Sequence, residues 1–406
     1  MSGPLEGLRV AEWCGVLGQY AGKLLADMGA DVVKFEPPGG SEARQVGPFV
    51  DDVPGPDRSL NFWYYNTNKR SVVADPSTEA GREVWRRLAG WAEVVIEDRG
   101  PGVLDGEGLG YRALDEGRRE LIWCALTPFG QDGPWAGWQA TDLVALALGG
   151  AMMMNGYDED DAPGAPPVRG HGDQAYHMAG HYAVQGILAA LLWRDRSGEG
   201  QFIDAAMHEA VSSTTEVALP YWFTKRVDVR RQTGRHAAAS RTEPWLHRAA
   251  DGRWVLVFGI GRDNASWRKV KAWFQAAGFG AQFDEPRFDD PLNRQVGRGS
   301  PEAAEISAEL ARFIAAHPAE EIYRGGQERR QAWGVVRGPE EPLFDPHWDD
   351  RGFWVEATGE GREKQPVKMP GAPYVFSATP WALRRPAPRL GEHTAEVLAE
   401  LGLAET

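Results

Sequence analysis

Short apolar runs alternate with stretches of helical periodicity through the first 130 residues, the order that builds a parallel sheet covered by helices. Leu8 to Trp13 predicts the first strand. Ala21, Leu24, Leu25 and Met28 recur at helical spacing and predict a helix from Gln19 to Met28, with Gly29 as its C-cap. Asp31 to Glu36 reads as a second strand, closed by the turn Pro37, Pro38, Gly39, Gly40, and Ser71 to Asp75 as a third. Ser77 is expected to cap a helix running to about Leu88, after which Glu93–Glu97 and Leu121–Leu126 supply two more strands. Farther on, Ala175, Ala179, Tyr182, Gly186 and Ala190 fall at steps of three and four that predict a long helix from Gln174 to Trp193, followed by a second helix over Asp204–Leu219. The fold class is α/β.

Past Phe223 the pattern changes. Residues turn basic from Lys225 to Arg235, which marks a domain boundary, and Trp254–Phe258 and Ala303–Ala316 predict a strand and a helix of a small second domain. The tail is rich in Pro and Gly up to Pro388, and then LGEHTAEVLAELGL predicts a terminal helix that can dock Leu398, Leu401 and Leu403 on a core. At 406 residues the chain is longer than one core usually serves, in keeping with two domains.

Charge narrows the partners. Against 44 Lys and Arg stand 58 Asp and Glu, a net −14, which argues against nucleic acid and against an anionic membrane surface. The run Leu143–Met154 covers about half of the roughly 20 residues a bilayer needs and contains two glycines, so it reads as core. Cys14 and Cys124 are the only cysteines, too few for a disulfide framework or a cysteine zinc site. With no basic and apolar leader at MSGPLEGLRV, the expected compartment is the cytoplasm.

Four clusters invite chemistry. Gly15, Gly18 and Gly22 follow the first strand, and Glu36 ends the second, where a dinucleotide fold places its ribose-binding acid; yet the G-x-G-x-x-G fingerprint is broken at Leu17. His177 and His181 lie four apart on one helix, without the glutamate of the H-E-x-x-H zinc motif, so packed histidines are favoured over a metal site. Asn68, Lys69, Arg70 and Ser71 form a polar cluster entering a strand, whereas Arg99 follows one and is better placed to meet a phosphate. Asp173, after Gly172 and at the head of the long helix, is a natural N-cap whose carboxylate could also attack an activated acyl group.

The segments LLADMGADVVKFEPPGG, NTNKRSVVAD, EVVIEDRGPGVLDGEGLG, LTPFGQDGPWAGWQATD and GDQAYHMAGHYAVQGILAALLWRDRSGEGQFIDAAMHEA, with the terminal GAPYVFSATPWALRRPAPRLGEHTAEVLAELGL, together resemble the class III CoA-transferases, of the formyl-CoA:oxalate and carnitine type, nearly end to end. The resemblance implies that Asp173 is the nucleophile of a ping-pong exchange. In it, coenzyme A passes from an acyl-CoA to a carboxylic acid through aspartyl anhydride and aspartyl thioester intermediates, with no metal and no cofactor beyond coenzyme A itself. CoA contacts carry over to Val16, Leu17, Ala74, Asp98, Arg99 and Thr127, and the oxyanion donors are expected in the loops Gly15–Gly18 and Gly234–Ala239. The layout implied is a Rossmann-like large domain built from both chain ends and a smaller central α+β domain, in an interlocked homodimer: residues 1–205 as the first part, 206–230 as a linker, 231–335 as the small domain and 336–406 as linker and return.

Departures are visible as well. Some relatives carry asparagine, phenylalanine and arginine where Asp98, Arg99 and Gly106 stand, and the glycine-rich flap of formyl-CoA transferase corresponds only loosely to GRHAAASRTEP. Racemases of the same fold use a histidine where Thr141 stands here, which argues against the two-base route; an acyl-CoA racemase or epimerase, with His171 or His177 as substitute base, is the alternative, and an inactive CoA-binding protein is the other.

Overall fold

Six strands pair in parallel in the order β3-β2-β1-β4-β5-β6: β1 (Arg9–Trp13), β2 (Asp31–Glu36), β3 (Arg70–Val73), β4 (Val94–Glu97), β5 (Ile122–Thr127) and β6 (Phe202–Ala206). The computed structural model describes residues 3–114, 117–261, 263–294, 300–357 and 366–403. Strands β4 and β5 read as near-continuous apolar runs because both faces are covered. β4 and β5 are buried throughout.

Helices α1 (Gln19–Asp27), α2 (Leu60–Tyr65) and α3 (Glu79–Trp91), two short turns α4 (Val103–Gly106) and α5 (Tyr111–Leu114), then α6 (Asp142–Leu148), α7 (Gln174–Ser197) and α8 (Met207–Ser212) complete the first part of this unit. Under α3 lies an aromatic core: Trp85, fully buried, meets Trp13 and Phe35 edge-on at 4.9 and 5.5 Å. On the other face α1 and α7 approach closely at Gly180, where a Cβ would fall 2.9 Å from the ring of Tyr20.

Contacts divide the chain into two units, Met1–Gly149 with His171–Thr214 and Asp345–Thr406, and Gly150–Gly170 with Thr215–Phe344. The division differs from the expected one: residues 150–170 join the second unit, and its main stretch begins at Thr215 rather than at 231. Within it, α9 (Ala218–Lys225) precedes an antiparallel sheet of β7 (Leu246–Arg248), β8 (Trp254–Val257) and β9 (Trp333–Val335). Helices α10 (Asn264–Ala276), α11 (Pro301–Ala315) and α12 (Ala319–Glu328) accompany that sheet, over a core that includes Trp267, Phe274 and Trp333.

The chain end returns to the first unit through α13 (Pro346–Asp350), the hairpin of β10 (Trp354–Ala357) and β11 (Val367–Pro370), and α14 (Thr394–Glu400). There α14 docks beside β3: Val397 is in the core, Leu398, Leu401 and Leu403 pack on it, and Arg70 reaches Glu396 and Glu400 at 2.8 Å each. Both chain ends therefore build one sheet unit.

Two local readings are corrected. Thr78, not Ser77, caps α3 by accepting the N–H of Gly81, because Ser77 is turned onto Asp75. The helix expected over Asp204–Leu219 opens instead as strand β6, which pairs with β5 from Phe202 to Ala206, and only then gives α8 and, in the second unit, α9. Sheet pairing with a fully buried neighbour outweighs local helical spacing there. Among the described residues, no helix is long and apolar enough to cross a membrane.

Candidate active site

The strand order reverses between β1 and β4, and ligands of open α/β sheets settle in the crevice outside the carboxyl ends at such a switch point. Val16 and Leu17 lie in the loop after β1, and Asp98 and Arg99 directly after β4, so these four share that crevice edge. Ala74 follows β3, and Thr127 ends β5 on the same side of the sheet. Thr127 is fully buried, its Oγ1 accepting the N–H of Gly130 at 2.8 Å. Arg99 is exposed, with its guanidinium 5.3 Å from the centre of the Trp13 ring.

Asp98 determines the shape of the loop after β1. Its carboxylate accepts the N–H of Gly15 at 2.8 and 3.0 Å and that of Gly18 at 2.9 Å, while Val16 N–H donates to Glu42 at 3.3 Å. The expectation that Gly15 and Gly18 offer oxyanion donors is thereby corrected: these N–H groups are spent on a carboxylate in the place where dinucleotide folds seat a pyrophosphate. Burial pushes Asp98 up to about 6, against the pull of the Gly15 and Gly18 N–H groups and of Lys34. The other expected donor loop, Gly234–Ala239, belongs to the second unit, where Ala238 bridges to Arg230 and Gly234 C=O accepts from Trp245 and Leu246.

Several charges that sequence offers to a ligand are structural. Glu36 is fully buried in a two-bond grip from Arg44, 2.7 Å each, and takes the Ser71 hydroxyl at 2.7 Å, so it is closed to a ribose. Lys69 is likewise buried, 2.7 Å from Glu12, whose other oxygen meets Lys34 at 2.8 Å. A glycine is required beside this triad, because a Cβ at Gly22 would lie 1.7 Å from Glu12 Oε2. Asn68 binds Asp27, and Arg70 is committed to Asp31 and to α14.

Asp173 stands at the N-cap position of α7, half-buried, directly after Gly172, whose φ of +83° favours glycine. Its backbone C=O accepts the first helical bond, from His177 N–H at 3.0 Å, but its carboxylate makes no capping bond. That corrects the expected side-chain cap. Asp142, the buried first residue of α6, does the capping instead: its Oδ1 accepts Ala175 N–H at 2.7 Å. A carboxylate near these N–H groups is favoured by the helix dipole, and here two carboxylates share the helix end.

One turn along, His177 Nε2 lies 2.6 Å from the hydroxyl of Tyr65, and the ring of Tyr20 sits 4.6 Å from that imidazole. Burial lowers the pKa of His177 from 6.5, and Asp173 pulls it back up. Tyr65 is raised above the usual phenol range, by burial first and then by the charges of Tyr64 and Asp173. His181 Nδ1 is 2.9 Å from the C=O of His177, so the histidine pair is held by the helix and by Tyr65. Sequence reasoning missed Asp142 and Tyr65. An aspartate after Thr141 at a helix start signals only a local cap, and nothing local announces that Asp142 and Tyr65 reach α7 across 33 and 112 residues. Thr141, at the racemase histidine position, is the exposed N-cap residue of α6.

The profile of CoA-transferase family III matches residues 5–394. Among curated relatives, succinyl-CoA:(R)-benzylsuccinate CoA-transferase subunit BbsE of Thauera aromatica is 36% identical over 97% of this chain and 93% of its own. Succinate–glutarate CoA-transferase of Agrobacterium fabrum is 34% identical over 99% of this chain and 96% of its own. Among solved structures, a CAIB/BAIF family protein from Brucella suis superposes with a TM-score of 0.80 at 28% identity, covering 99% of this chain and 100% of that one. The two curated relatives carry transferase names, which does not favour the racemase alternative. A match that takes in the sheet, the switch-point crevice and Asp173 at the head of α7 shows that the chain belongs to CoA-transferase family III.

Proposed function

We propose that Asp173 is the nucleophile of a ping-pong CoA transfer. Its carboxylate attacks the carbonyl of the donor thioester, the C–S bond breaks, and coenzyme A leaves as thiolate from a mixed aspartyl anhydride. The thiolate then attacks the aspartyl carbonyl, releasing the donor acid as carboxylate and leaving an aspartyl-CoA thioester. The acceptor carboxylate attacks that thioester to give a second anhydride, and the thiolate returns to the acceptor's acyl carbon, freeing Asp173. Every step exchanges a carboxylate and a thiolate, so the scheme balances without a proton, a metal or a cofactor beyond coenzyme A.

The observation that supports this reading is the division of labour at α7. Asp142 supplies the cap, so the carboxylate of Asp173 is not bound to its own first turn. On this reading Val16, Leu17, Ala74, Asp98, Arg99 and Thr127 line the route of the CoA, with Arg99 meeting a phosphate and Asp98 holding the loop rather than touching the nucleotide. The relatives named for succinyl-CoA and for benzylsuccinate or glutarate point to a dicarboxylic acid on at least one side of the exchange. The working form on this reading is an interlocked homodimer in the cytoplasm. Succinyl-CoA offered with a panel of aliphatic and aromatic dicarboxylic acids, with mass detection of the new thioester, tests the activity. The wild type makes a new acyl-CoA and Asp173→Ala makes none; equal exchange by both would refute it.

A further inference from the structure

Residues four apart share one face of a helix, so His177 lies over the same side of α7 as Asp173. Three elements converge there. Tyr65, the last residue of α2, brings its hydroxyl to 2.6 Å from His177 Nε2; Tyr20 of α1 packs its ring 4.6 Å from His177 and 5.8 Å from Tyr65. The charged and titratable groups that face the imidazole are Asp173 and His181 on its own helix and Asp142 on α6, with the two tyrosines from α1 and α2.

With His177 lowered from 6.5 and Tyr65 raised, both are neutral near pH 7. The phenol O–H then donates and Nε2 accepts, which leaves the ring proton on Nδ1. This polarity matters to a nucleophile that loses its charge. Asp173 is an anion at rest and neutral as anhydride or thioester, so an imidazolium one turn away would stabilise the resting carboxylate and oppose acylation. A neutral imidazole carries no such bias.

We propose that Tyr65 and His177 form a positioning pair for Asp173, the tyrosine hydroxyl fixing the imidazole as a neutral neighbour of the nucleophile throughout the exchange. The pair rests on the reading of Asp173 as nucleophile. It acts through Asp173, and neither member bonds to the reacting atoms.

Tyr65→Phe removes one hydroxyl and with it the donor that favours the neutral imidazole. His177→Asn keeps a polar side chain that cannot become cationic. The rate of acyl-enzyme formation with succinyl-CoA, followed in a single turnover from pH 5 to pH 8, reads both. In Tyr65→Phe the His177 proton titrates at higher pH, so the acid limb moves toward neutral pH and the rate at pH 7 falls on the order of tenfold. KM for the acyl-CoA stays within about twofold, the split expected when only the reacting group is misplaced. In the His177→Asn background the Tyr65→Phe change no longer moves the acid limb, because the two act as one unit. A purely structural role would lower thermal stability and leave the limb in place. If Tyr65→Phe does not fold, His177→Asn alone decides: the proposal requires the part of the acid limb due to His177 to be lost. A wild type that forms no acyl-enzyme overturns the transferase reading and the pair with it. A wild type that acylates, with variants that keep its rate and its limb, overturns the pair alone.

Discussion

Asp142 caps the helix that Asp173 begins, taking the N–H of Ala175 at 2.7 Å across 33 residues of chain. The residue at the head of α7 and the side chain that caps it are thus two different aspartates. Asp142→Ala should lower stability by about 1 kcal/mol, the usual cost of a lost cap, and slow acylation of Asp173 because the head of α7 frays. Asp142→Asn keeps an acceptor and should restore most of the stability. Urea denaturation and acyl-enzyme formation together check this; an alanine variant matching the wild type in both would contradict it.

Glu97 provides a pH test. Burial pushes its carboxyl up to about 7, and the charge of Asp98 adds to this, while Arg99 N–H, 2.7 Å away, pulls down. Between the unfolded value of 4.5 and about 7 the folded state holds a proton that the unfolded chain has released, so stability falls as pH rises through this window. Glu97→Gln removes the ionisation and keeps an acceptor for Arg99. Relative to the wild type, the variant should gain roughly 3 kcal/mol between pH 4 and pH 9, by the worth of the shift. Thermal melts across that range are the measurement, and parallel curves would refute it.

The Glu12, Lys34 and Lys69 triad makes Gly22 irreplaceable. Gly22→Ala drives a methyl group to 1.7 Å from Glu12 Oε2, so the carboxylate must leave one lysine. Uncompensated buried charge costs about 3 to 5 kcal/mol. Denaturation should show a loss of that order with the sheet still formed by circular dichroism, whereas a loss near zero would mean that the triad adjusts.

Loop closure by Asp98 sets the last of these expectations. Asp98→Ala leaves the N–H groups of Gly15 and Gly18 without their carboxylate. On the reading that Val16 and Leu17 line the CoA route, KM for acyl-CoA should rise about tenfold, a loss of roughly 1.4 kcal/mol. Steady-state kinetics decides, with an unchanged KM as the contrary result.

Much of the sheet was legible because its strands carry clusters of Val, Ile and aromatic residues bounded by turn residues: Asp31–Glu36 is read to the residue, and β1, β4 and β5 within one or two. Strand β6 was not, since FIDAA is half-exposed at the sheet edge and its identity comes from pairing with β5, not from its own pattern. Lys69 and Arg70 are weaker ligand candidates than Arg99 in the sequence, but their structural use is hidden for a related reason: a charge written in sequence does not say whether Glu12 or Asp31 will be waiting for it. Asp173 could be singled out from its helix-head position and the resemblance. The residues that shape the first turns of α7, Asp142, Tyr65 and Tyr20, reach Ala175 and His177 only through tertiary packing.

The most direct test of the central claim is the site of covalent attachment. Wild-type protein mixed with an acyl-CoA and quenched with hydroxylamine, then digested and analysed by mass spectrometry, should carry the hydroxamate on the peptide containing Asp173 and nowhere else. Asp173→Asn should give no adduct. A hydroxamate on another carboxylate, or turnover with no trapped adduct at all, would contradict the account.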